Sequence, residues 1–122
     1  MTAPNMFIVY VSDAPEAARF YGDLFDMKPS IETPGFISFE LVSGMHLALW
    51  RPYDEKVLAE AVGRTSEVCL AVEGAPASVD ATYEEWKAKG VTIVSEPEDA
   101  PFGRTFLAAD PDGNLIRVAP VD

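Results

Sequence analysis

The sequence predicts an α+β protein built from two βαβββ modules, each a small curved mixed sheet carrying one helix. Three observations predict it. The order strand, turn, amphipathic helix occurs twice, in "MFIVYVSDAPEAARFYGDLFDM" and in "SEVCLAVEGAPASVDATYEEWKAKG". The segments Val11-Ser12-Asp13-Ala14-Pro15 and Val72-Glu73-Gly74-Ala75-Pro76 align at an offset of 61 residues, half the 122-residue chain. Three short strand-like runs follow each helix. The modules span about residues 5–50 and 66–119 of a single domain, 1–122, with a linker at about 51–65.

The elements follow in order. "MFIVYV" is rich in β-branched and aromatic residues and reads as a strand. Asp13 is placed to cap the first helix, and Glu16 three residues on completes a capping-box pattern. Ala17, Phe20, Tyr21 and Leu24 form the apolar stripe of that helix. "KPSIE", "FISFELV" and "MHLALW" supply the next three strands, and the centre of "RPYDEKVLAEAVGR" suits a short helix. The second helix carries Val79, Tyr83 and Trp86 at i, i+4 and i+7 and stops at Lys89-Gly90. "VTIVSE", "RTFLAAD" and "NLIRVAP" complete the second module.

Strand parity assigns the two faces of each sheet, because successive side chains alternate. Phe7, Val9, Val11, Leu47, Leu49, Val68, Leu70, Val72, Ile116 and Val118 belong against the helices. The concave side then receives Met6, Ile8, Tyr10, His46, Ala48, Trp50, Glu67, Cys69, Ala71, Leu115, Arg117 and Ala119. Rings, sulfur and a few charges on one hollow are the lining of a small-molecule pocket.

Composition narrows the function. Twenty acidic against nine basic residues give a net charge of -11, which repels phosphate backbones and anionic lipid, so nucleic acid and membrane are not the expected partners. No apolar run reaches the ~18 residues of a membrane span. The first residues lack the basic region of a secretory signal, and the single Cys69 fits a reducing cytoplasm, the expected location. "DPDGN" has its Gly at the wrong place for a calcium loop and reads as a hairpin turn with Gly113 at positive φ. Neither a serine triad nor a phosphate-binding loop is present, so no catalytic residue is assigned.

The repeat, "YVSDAPEAARFYGDLFDM" and "DPDGNLIRV" resemble the vicinal oxygen chelate superfamily of glyoxalases, extradiol dioxygenases and bleomycin-resistance proteins. The resemblance implies a divalent metal held by one inward residue on each of four strands. Carried onto this chain, those places are Met6, Ala48, Glu67 and Arg117, of which only Glu67 is an ordinary ligand. A guanidinium beside the ion would oppose it, so neither metal nor other cofactor is expected. Arg117 and Glu67 are expected to form an ion pair instead.

Within that superfamily, "FGRTFLAADPDGNLIRVAPVD", "LALWRP" and "IVYVSDAPEAARFY" are similar to proteins of phenazine antibiotic resistance, which bind their drug and sequester it. The similarity implies a homodimer whose pockets join the first module of one chain to the second of the other. The ligand would be a planar aromatic molecule, and ring stacking adds roughly 0.5 to 1.5 kcal/mol per pair beyond area. Trp50 is the first candidate wall. Tyr10, Phe36, Phe39, Tyr53 and Phe102 are further ring candidates, with Met6, His46, Glu67 and Arg117 completing the set. Phe36 and Phe39 have opposite parity, so at most one faces the hollow squarely. The alternative is a glyoxalase- or dioxygenase-type metal enzyme with an atypical ligand set.

Overall fold

In a computed structural model, residues 4–52 and 66–121 are described. Most of the linker, with its expected helix and Tyr53, lies outside them. The chain divides into two units, Met1–Gly63 and Arg64–Asp122, each holding one four-stranded mixed sheet.

The first unit runs β1 (Met6–Tyr10), α1 (Ala14–Phe25), β2 (Ile31–Glu32), β3 (Phe36–Glu40) and β4 (His46–Trp50), with strand order β1-β4-β3-β2. β1 lies parallel to β4, with Met6 opposite His46 and Tyr10 opposite Trp50. β3 lies antiparallel to β4, with Phe36 opposite Trp50 and Phe39 opposite Leu47. Helix α1 starts where the capping signal places it: Asp13 Oδ1 accepts from the Glu16 amide at 3.0 Å. It ends at Asp26 in the left-handed region. The buried stripe is Ala14, Ala17, Ala18, Tyr21 and Leu24. Phe20 is only half-buried, edge-on to Tyr21 at 5.4 Å, and Ala18 is buried in addition to the expected stripe.

The second unit repeats this plan. It comprises β5 (Glu67–Val72), α2 (Ala77–Ala88), β6 (Thr92–Ala100), β7 (Gly103–Ala109) and β8 (Leu115–Pro120), in the order β5-β8-β7-β6. β5 is parallel to β8, with Cys69 opposite Arg117. β7 is antiparallel to β8, with Leu107 opposite Arg117. Val79, Tyr83 and Trp86 of α2 are buried, and both rings meet Phe106 edge-on at 5.5 Å. β6 is longer than "VTIVSE" suggests and continues through Pro97. The register shift between Ser95 and Glu98 accommodates Pro97, which has no amide proton, and a second shift falls between Ile93 and Ser95.

The two cores follow parity with one exception. Leu47, Leu49, Ile116 and Val118 are buried as expected, and Val68, Leu70 and Val72 are half-buried. Phe7, assigned to the helix side, is instead 56% exposed. β1 is an outer strand of its sheet, paired on one side only.

Candidate functional site

Parity and register together assemble a row of rings at one end of the first sheet. Tyr10, Trp50 and Phe36 stand opposite one another on three adjacent strands, all on the face away from α1. Each is half-buried, and the Tyr10 and Trp50 rings meet edge-on with centroids 5.5 Å apart. Such a row offers ring surface to a flat molecule at little entropic cost, since two torsions define each ring.

The rest of that face is less open. Ser38 and Ala48, opposite each other in the next row, are both fully buried. His46 sits one row further, half-buried, with Nδ1 3.5 Å from the Ser38 hydroxyl and Met6 and Glu40 opposite it on the flanking strands. Met6 is partly exposed. Phe39 is a correction to the ring set: it is fully buried, and its ring packs beside Gly22 of α1, where an added Cβ would lie 3.8 Å from it. The odd spacing from Phe36 puts it on the helix side, and it serves the core.

Charge defines the second unit. Glu67 on β5 and Arg117 on β8 form the expected ion pair on the face away from α2. Arg117 Nε donates to Glu67 Oε1, and Nη2 to Oε2 at 3.5 Å. This fork uses the side-on edge of the guanidinium. The two side chains are 27% and 32% exposed, so the pair is partly desolvated. Arg117 Nη1 donates to Thr105 Oγ1 at 3.1 Å, and that hydroxyl in turn donates to the Val118 carbonyl at 2.7 Å. Thr105 is buried and was not among the sequence candidates. Nothing in "RTFLAAD" singles it out. Only the register, with Leu107 opposite Arg117, shows that the residue two before Leu107 lies diagonally beside the guanidinium.

Cys69 is exposed on the same face, and its thiol pKa lies above the ordinary value. Partial burial is the main cause and the Glu67 carboxylate the second, with Arg117 opposing them. The group is therefore a thiol at neutral pH and a poor nucleophile. Phe102 is 53% exposed in the turn between β6 and β7, at the end of the sheet where Gly103 abuts Pro120. Five residues of strand separate it from the Leu107 row, roughly 17 Å at the usual rise, so it does not join Arg117.

The four positions that the superfamily uses for metal do not fit one here. Ala48 has no donor atom, Arg117 is a cation whose N–H groups already point at Glu67 and Thr105, and Met6 offers only a thioether. Among the described residues no three His, Cys, Asp or Glu side chains group as a cation cage. In the "DPDGN" turn the Asp110 carboxylate accepts from the Asp112 amide at 2.9 Å, the Asn114 amide at 2.7 Å and Asn114 Nδ2 at 2.8 Å. Gly113 is at φ 83°. That carboxylate holds a turn together, as the composition of the stretch suggests.

A cleft of about 610 Å³ lies on the other side of the first sheet, lined by residues including Pro15, Arg19, Met27, Pro34 and Ile37. None of the candidate binding residues named from the sequence lines it. Among the described residues no helix is long and apolar enough to cross a membrane.

Comparison with known proteins agrees with this architecture. The chain is 36% identical over 122 residues to the phenazine antibiotic resistance protein EhpR of Enterobacter agglomerans, covering 98% of this chain and 92% of that one. A solution structure of an Agrobacterium tumefaciens protein is 37% identical, with a TM-score of 0.80 and 98% of both chains covered. A glyoxalase/bleomycin resistance protein/dioxygenase family enzyme from Burkholderia phytofirmans shares the fold at 18% identity, with a TM-score of 0.78 over 99% of this chain and 100% of that one. The model of the glyoxalase/bleomycin resistance protein/dioxygenase superfamily matches residues 3–118, and the chain belongs to that superfamily.

Proposed function

We propose that this protein is a metal-free drug-binding protein that sequesters a planar aromatic small molecule, of phenazine type, and so confers resistance to it. The observation that carries the reading is the half-buried row Tyr10, Trp50 and Phe36 on the face away from α1. Its similarity to a phenazine antibiotic resistance protein supports the choice of ligand class. On the second unit, Arg117, held by Glu67, offers a donor suited to a carbonyl or carboxylate oxygen. His46 and Met6 lie on the same face of the first unit as that row. No chemical step is assigned, and the work of the site is burial and stacking. The protein acts in the cytoplasm as a homodimer.

Fluorescence titration with a panel of phenazines and other planar drugs tests this reading. Trp50 emission is expected to be quenched, and the signal to disappear in Trp50→Phe while persisting in Trp86→Phe. Quenching by no member of the panel overturns the proposal. Elemental analysis tests its metal-free part, which stoichiometric divalent metal in the purified protein would remove. Light scattering tests the dimer, whose expected mass is twice that of one chain.

A further inference from the structure

We propose that Thr105 is a positioning residue that sets the ligand preference of Arg117, selecting planar aromatic molecules that carry a carbonyl-type oxygen on the ring edge. The inference rests on the ligand-binding reading above and goes beyond it by naming the group that aims the donor.

A hydroxyl has one proton and two lone pairs. Thr105 commits its proton to the Val118 carbonyl at 2.7 Å, so towards Arg117 it presents only a lone pair, which Nη1 meets at 3.1 Å. A guanidinium has five N–H donors. Glu67 takes the one on Nε and one on Nη2, and Thr105 takes one on Nη1. One N–H on each terminal nitrogen is left, with no partner among the described residues. The Arg117 side chain is 27% exposed, so solvent reaches part of the group.

The Glu67 fork holds one edge of the guanidinium, one of its two contacts being long at 3.5 Å. A second contact on a different nitrogen, from a buried residue of a neighbouring strand, fixes the plane of the group. Thr suits this place because its branched side chain packs in a sheet while its hydroxyl reaches the backbone of β8. Preorganised donors lose less entropy when an acceptor arrives, so the arrangement favours ligands that bring an oxygen into that plane. It offers nothing extra to a bare ring system.

The test compares the full chain with Thr105→Val and Thr105→Ser, titrated by isothermal calorimetry with phenazine-1-carboxylate and with unsubstituted phenazine. Thr105→Val is expected to weaken phenazine-1-carboxylate binding by about tenfold and to leave phenazine within about twofold. Thr105→Ser is expected to keep the wild-type preference. Equal losses for both probes would mean a structural role only and would overturn the inference, as would no loss for either. If the wild type binds phenazine but Thr105→Val shows no split between probes, only the role of Thr105 falls. If the wild type binds neither probe, the sequestration reading falls and takes this inference with it. A second readout needs no ligand: the Arg117 side-chain N–H resonances are expected to be resolved in wild type and Thr105→Ser, and broadened by rotation in Thr105→Val. Resonances unchanged in Thr105→Val would also overturn it.

Discussion

The two units share one βαβββ plan and put opposite chemistry on it. On the face away from its helix the first carries Tyr10, Trp50 and Phe36, with His46 as its only histidine. The corresponding face of the second carries Glu67, Arg117 and Thr105. A duplicated framework holds its cores by the same rule in both halves, apolar residues at alternate positions against one helix. The other parity carries the differences between the two halves. Each half has one tryptophan, and the two illustrate the division: Trp86 lies in the core beneath α2, and Trp50 on the opposite kind of face.

The largest expected effect separates those two residues. Trp86→Ala removes a ring packed on Phe106 and is expected to cost about 3 to 5 kcal/mol, whereas Trp50→Ala, half-buried, costs about 1 to 2. Urea unfolding of both variants checks this, and equal losses would erase the distinction between core parity and site parity. Next comes Asp110→Ala, which strands three donors in the "DPDGN" turn and is expected to lower stability by about 2 to 3 kcal/mol in the same assay. A loss below about 0.5 kcal/mol would mean that water replaces the carboxylate.

A double-mutant cycle sharpens the charged half. Arg117→Ala combined with Glu67→Ala is expected to show a coupling of about 1 kcal/mol, modest because both groups remain about a third exposed. Coupling near zero would make the pair a geometric coincidence. The smallest effect is kinetic. Glu67→Gln removes a carboxylate that raises the Cys69 pKa and leaves Arg117, which lowers it, unopposed. The folded-state pKa therefore falls, thiolate becomes more abundant at a given pH, and alkylation of Cys69 by iodoacetamide at pH 7.5 is expected to quicken a few-fold. An unchanged rate would show that burial alone sets the thiol.

Much of the fold was legible in the sequence, because local signals and global packing agree. The Asp13 cap, the Val79, Tyr83, Trp86 stripe, the Lys89-Gly90 stop and the "DPDGN" turn all depend on neighbours within four residues. The Glu67 and Arg117 pair was legible through parity and resemblance together. What stayed hidden depends on register and strand order. Phe39 and Phe36 are both plausible rings until β3 is set against β4 and α1. The exposure of Phe7 follows from β1 being outermost, which no alternation pattern encodes. Thr105 becomes visible only once Leu107 is placed opposite Arg117. The burial of Ser38 and Ala48 on the site face was equally unreadable from periodicity.

The strand orders β1-β4-β3-β2 and β5-β8-β7-β6 also bear on how each unit is reached. In both, the last strand made is the one that joins the first to the remainder, through a parallel pairing of distant segments. A fragment that stops before β4 retains the β2–β3 hairpin but leaves β1 with nothing to pair with, and the same holds for β5 without β8. Closing such a long loop costs entropy before the pairing repays it. Each sheet therefore assembles late and nearly all at once, so a split placed just before β4 or β8 is expected to yield fragments that recover structure only when recombined.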